Sequence, residues 1–118
     1  MRKIILLFSL LISACCFATQ PEKIKKSQWK GFVKNTFTLS EKKCFLIEPK
    51  QAAPGNPWVW RARWPNYHTE IDLLLLEDGY HIAYMNTNGL LGAPSFLPFW
   101  ESFYKSMTQE YKLNKKAA

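Results

Sequence analysis

The stretch from residue 58 to 85 constrains the fold more than any other part of the chain. Residues 58–64, Trp-Val-Trp-Arg-Ala-Arg-Trp, alternate in character. Trp58, Trp60, Ala62 and Trp64 therefore share one face of a strand, and Val59, Arg61 and Arg63 share the other. Pro65 closes the run. Thr69 then reads as a helix cap, with Asp72 three residues on as a partner resembling that of a capping box. Ile71, Leu74 and Leu75 supply an apolar stripe, widened by Leu73 and Leu76. Gly79 supplies the left-handed residue on which helices end. Residues 80–85 form an apolar strand directly afterwards. Strand, helix, glycine, strand is the grammar of a βαβ crossover, and it predicts parallel pairing of the two strands.

The flanking segments are read the same way. Phe32–Leu39 and residues 44–48 are β-rich runs separated by Ser40-Glu41-Lys42-Lys43, which predicts a hairpin. Residues 51–57, Gln-Ala-Ala-Pro-Gly-Asn-Pro, are dense in turn formers, and 86–94 form a second loop. Ser95 can cap a last helix with Phe96, Phe99, Trp100, Phe103, Met107 and Tyr111 on one buried face. Pro98 is tolerated there because it falls in the first turn. Residues 19–28 are polar and lysine-rich, which suits a tether.

The first eighteen residues read as an export signal. Arg2 and Lys3 form a basic start, residues 4–12 an apolar run, and Ser13 and Ala14 are small. The run is well short of the roughly 20 residues that a membrane-spanning helix needs. Two processing sites compete. Cleavage after Ala18 would release a chain beginning at Thr19. Alternatively, Ile12-Ser13-Ala14-Cys15 resembles a lipoprotein signal, which would place a lipid on Cys15. An exported chain, periplasmic, extracellular or lipid-anchored to the envelope, is the expectation. Its core would be small.

Charge and cysteines exclude several classes. The formal charge of +7 falls to +5 when Arg2 and Lys3 leave. The remaining lysines gather at termini and turns, where solvation is the default, so nucleic-acid binding is not expected. The three cysteines support no disulfide framework. Cys44 opens the run Cys-Phe-Leu-Ile and reads as a buried strand residue. His68 and His81 have no cysteines beside them at zinc-site spacing. Neither a metal nor a cofactor is expected. Glu70, Asp72, Glu77 and Asp78 read as helix-end charges rather than a catalytic carboxylate pair.

Three strings carry a family resemblance: residues 53–64 with their tryptophans, residues 72–85, and Trp-Glu-Ser-Phe-Tyr at 100–104 followed by 112–116. Together they resemble the opening half of a group of secreted bacterial α/β-hydrolases, across residues 29–116. The resemblance implies an α/β class, a partial α/β-hydrolase sheet built as a hairpin followed by strand, helix, strand, helix. It also implies hydrolysis of an ester or peptide bond. In that family a following strand would deliver a serine on a strained turn, with the acid and histidine later. None of the seven serines here lies in a Gly-x-Ser-x-Gly string. No catalytic residue can therefore be carried over, and the expectation is a truncated, inactive form. The loop after the third strand supplies half of the family's oxyanion hole, so Arg61, Ala62 and Arg63 are the candidate oxyanion-hole or substrate contacts. Either arginine could instead be solvated or paired with a carboxylate. The competing expectation is a small basic envelope protein that binds without catalysis. An unpaired edge beside residues 80–85 would further predict self-association.

Overall fold

The computed structural model of the chain describes residues 23–90 and 92–118. The expected export signal at 1–18, with the lipidation candidate Cys15, and residues 19–22 of the expected tether lie outside these residues. The elements in order are strands β1 (Lys25–Trp29), β2 (Phe32–Leu39), β3 (Lys42–Glu48) and β4 (Trp58–Arg61), helix α1 (Thr69–Glu77), strand β5 (His81–Met85) and helix α2 (Leu97–Lys105). A 3₁₀ turn, Pro94–Phe96, leads into α2, and a π-helical turn, Ser106–Glu110, follows it.

The five strands form one sheet in the order β1-β2-β3-β5-β4. Two-residue connections fold β1, β2 and β3 into a meander. Lys30 and Gly31 both have positive φ (47° and 86°), as do Ser40 and Glu41 (48° and 64°). Such turns match the twist of antiparallel strands and permit no other pairing. β3 also pairs antiparallel with β5, through Cys44–Met85 to Ile47–Ile82. Only β4 and β5 run parallel, joined through α1 as the crossover grammar predicts.

The expected α/β class, a partial α/β-hydrolase sheet, is therefore overturned. The sheet is mixed and mostly antiparallel, with two short helices, so the fold is dominated by its sheet. The reason is local: three of its four pairings use antiparallel partners, and two of those are fixed by connections too short for a crossover. Within the stretch expected to be a tether, Lys25–Trp29 pairs with β2 as an edge strand. Polar and lysine side chains suit such an edge. Nor does β5 border an open edge, since β3 and β4 flank it on both sides.

The helices lie on opposite faces. Leu76 of α1 packs with Phe32, Ile47 and Ile82. Phe103 of α2 and Met107 pack with Phe37, Leu46, Trp58, Ala83 and Met85. Alternation along β3 and β5 explains the division, because adjacent residues such as Leu46 and Ile47 face opposite ways. Gly79 fixes the α1–β5 junction. Its φ is +87°, and a Cβ there would lie 2.5 Å from the Ala53 backbone nitrogen. That same nitrogen donates to the Gly79 carbonyl at 3.0 Å.

Candidate ligand-binding cleft

The C-terminal ends of β4 and β5 point the same way, and the loops that leave them diverge around a cleft. Crevices beyond the carboxyl ends of parallel strands are where open sheets commonly bind ligands. An inner cavity of about 140 Å³ is lined by Trp60, Ala62, Thr87 and Trp100. It adjoins an outer hollow of about 350 Å³ that shares Ala62, Thr87 and Trp100 and adds Arg63, Leu90 and Gly92.

Aromatic packing sets the inner wall. Trp58 is fully buried and stacks on Trp60 at 5.8 Å between ring centroids. Trp60 in turn meets Phe103 at 5.1 Å and the edge of Trp100 at 6.0 Å. Trp58 anchors this row by donating its indole N–H to the Asn114 carbonyl at 2.7 Å. The wall is thus held from the core outward, while Trp100 stays 42% exposed at the mouth. The sequence places Trp100 on the buried stripe. In the fold it lies on the flank of that stripe, with Phe96, Phe103 and Met107 beneath.

The three residues singled out as substrate contacts separate. Ala62 and Arg63 line the cleft, and the Arg63 guanidinium lies 6.0 Å from the Trp64 ring centroid. Arg61 turns to the α1 side and pairs with Asp72 at 2.8 Å. Its remaining donors hold the Trp64 carbonyl, at 3.1 and 3.3 Å, and the Tyr67 carbonyl. Arg61 therefore fixes the loop that carries Ala62 and Arg63, and does not face a ligand. Burial pushes the Asp72 carboxyl above its ordinary value, against the pull of the Arg61 charge.

Asp72 is thereby withdrawn from the expected cap. Residue 68 occupies the N-cap position with φ 51° and makes no side-chain capping bond. The Thr69 hydroxyl accepts from Lys30 Nζ at 2.6 Å instead. His68 is exposed and pairs through Nδ1 with Glu70 at 2.8 Å. His81 is buried at the far, N-terminal end of β5, with Nδ1 3.1 Å from the Pro57 carbonyl. Cys44 is buried too, its thiol 3.4 Å from the Lys42 carbonyl. Among the described residues no group of three His, Cys, Asp or Glu side chains is placed to hold a metal.

Thr87, Leu90 and Trp100 escape a reading of the sequence alone. The available signal is positional, because Thr87 follows the last residue of a parallel strand by two. No family model matches the chain, and neither the curated proteins nor the solved structures contain a detectable relative.

Proposed function

We propose that this chain is an exported binding module that takes a small apolar or aromatic group into the cleft between Trp60 and Trp100. The observation that carries this reading is the aromatic cavity beyond the ends of the parallel strand pair, narrow within and opening into a wider hollow. Ligand sites are typically concave and mostly apolar, with few polar groups to orient the guest. Here Thr87 and Arg63 are those groups.

The family resemblance favours hydrolysis of an ester or peptide bond, but the cleft lining does not support it. Its one hydroxyl, on Thr87, has no imidazole or carboxylate beside it among the lining residues. A nucleophile of that kind needs an adjacent base. Titration with indole, followed by the NMR shifts of the tryptophan side-chain N–H groups, tests the proposal. Saturable shifts of Trp60 and Trp100 are expected, and Trp100→Ala should weaken binding about tenfold. Unchanged affinity in that variant would overturn the site. Saturable turnover of p-nitrophenyl acetate would return the reading to a hydrolase.

A further inference from the structure

We infer that the sheet face carrying Lys25, Lys34 and Lys43 is a docking surface for an anionic phospholipid bilayer. Register places the three side chains together on the α1 side of the meander. Lys34 is paired with Ile47, a member of the α1 cluster, while Lys25 lies opposite Thr36 and Lys43 opposite Thr38. By alternation, no carboxylate from β1, β2 or β3 shares that face, and its other side chains are aromatic, aliphatic or hydroxyl. Lys30 and Lys50 continue the basic surface to a hollow of about 490 Å³ beside α1, where Glu77 contributes the carboxylate. Neither lysine is ion-paired among the described residues.

The arrangement favours a headgroup surface over a nucleic acid. Single-strand binders offer open aromatic rings on which bases stack. Here each of the three rings that β1, β2 and β3 place on this face has an ammonium group over it. Lys34 Nζ lies 4.3 Å from the centroid of Phe45, Lys30 5.2 Å from Trp29, and Lys50 5.5 Å from Phe32. The ammonium groups thus sit over these rings and close them to a stacking base, while Lys25 and Lys43 stay exposed as point charges, which suits phosphates held in a plane.

Co-sedimentation of the full chain with vesicles tests the inference. Vesicles of phosphatidylcholine with 30% phosphatidylglycerol are compared with phosphatidylcholine alone, at about 0.05 and 0.5 M salt. Lys25→Gln/Lys43→Gln alters two exposed positions, whereas Lys112→Gln/Lys115→Gln removes the same charge from the C-terminal segment beside β4. Each lysine near such a surface is worth about fivefold in affinity, so the face variant should bind about 25-fold more weakly and the control unchanged. Binding to the anionic vesicles should also fall at high salt. Equal losses in both variants, or equal binding to neutral vesicles, would overturn the docking face. Tighter binding to a (dT)20 oligonucleotide than to the anionic vesicles would also overturn the bilayer as its partner.

Discussion

Arg61 commits all three guanidinium nitrogens to the protein itself, two of them to backbone carbonyls of the loop after β4. A buried charge pair of this kind adds little net stability, but removing one partner strands the other. Its role is positional: it draws the loop against α1 and leaves Ala62 and Arg63 at the cleft. His81 illustrates a different residue-scale effect. Burial lowers its pKa from the ordinary 6.5, opposed by the Pro57 carbonyl and the charge of Glu48. The folded chain therefore binds a proton on His81 less readily than the unfolded chain does. The associated stability is present above pH 6.5 and is lost as pH falls from there toward the lowered folded value. Thermal melts between pH 7.5 and 5 should show a falling Tm, and His81→Asn should flatten that slope. A Tm that is level over this window in the parent protein would contradict the assignment. The raised pKa of Asp72 acts with the opposite sign. Its contribution is greatest below its ordinary 3.8 and fades as pH rises through the folded value, so Asp72→Asn serves as the control that separates the two groups.

Helix α1 shows how an element acquires its orientation. Four consecutive leucines, Leu73 to Leu76, give a short helix no clear buried side, and the sequence alone favours Ile71, Leu74 and Leu75. In the fold Leu76 is 1% exposed while Ile71 and Leu74 are 55% and 66% exposed. The deciding residue is Asp72, one turn before Leu76 on the same side. Pairing it with Arg61 rotates the helix so that residues 72 and 76 face the sheet. Leu76→Ala should therefore cost about 3 kcal/mol, the usual order for a filled core site. Leu74→Gln should change stability by no more than about 0.5 kcal/mol. Chemical denaturation of both variants would check this, and comparable losses would show the rotation to be wrong. The strongly patterned α2 and the π-helical turn after it needed no such partner, since their spacing put Phe103 and Met107 in the core directly.

The whole molecule is closed along the outer side of β4 by its own C-terminal segment. Asn56 Nδ2 donates to the Lys112 carbonyl at 3.1 Å, and Asn114 N donates to the Asn56 carbonyl at 3.0 Å. Ala118 then donates to the Trp58 carbonyl and accepts from Trp60 N, both at 3.0 Å. That last pair is the hydrogen-bond pattern of a parallel bridge. Tyr104 adds a bond from its hydroxyl to the Lys115 carbonyl at 2.7 Å. Trp58→Phe would leave the Asn114 carbonyl without its indole donor and open a small cavity, at a cost of about 2 kcal/mol. Amide hydrogen exchange should accelerate at Trp60 well beyond the change at Ile82, which is buried in the central strand β5. Equal acceleration at the two sites would mean that the segment does not open separately from the core.

Much of the local architecture is legible in the residues. The turn formers and β-rich runs define the hairpin at 32–48, and the strand–helix–glycine–strand order defines the one parallel pairing, because these follow from backbone sterics and side-chain period. The fold class is not legible in the same way. Phe45 and Ile47 mark β3 as a strand, yet nothing local specifies that its second partner is β5 running the other way. The cleft is legible only in part: Ala62 and Arg63 follow from the loop after β4, whereas Thr87 and Trp100 reach it from elsewhere in the chain. The sequence by itself determined strands β2 to β5, the two helices and the single crossover, since each depends on neighbours a few residues apart, whereas the polar β1 becomes a strand only by pairing with β2. Tertiary structure alone decided the sheet order, the rotation of α1 and the inward turn of Arg61. Those features depend on contacts such as Arg61–Asp72 and Leu46–Ala83, which exist only once distant segments share one core.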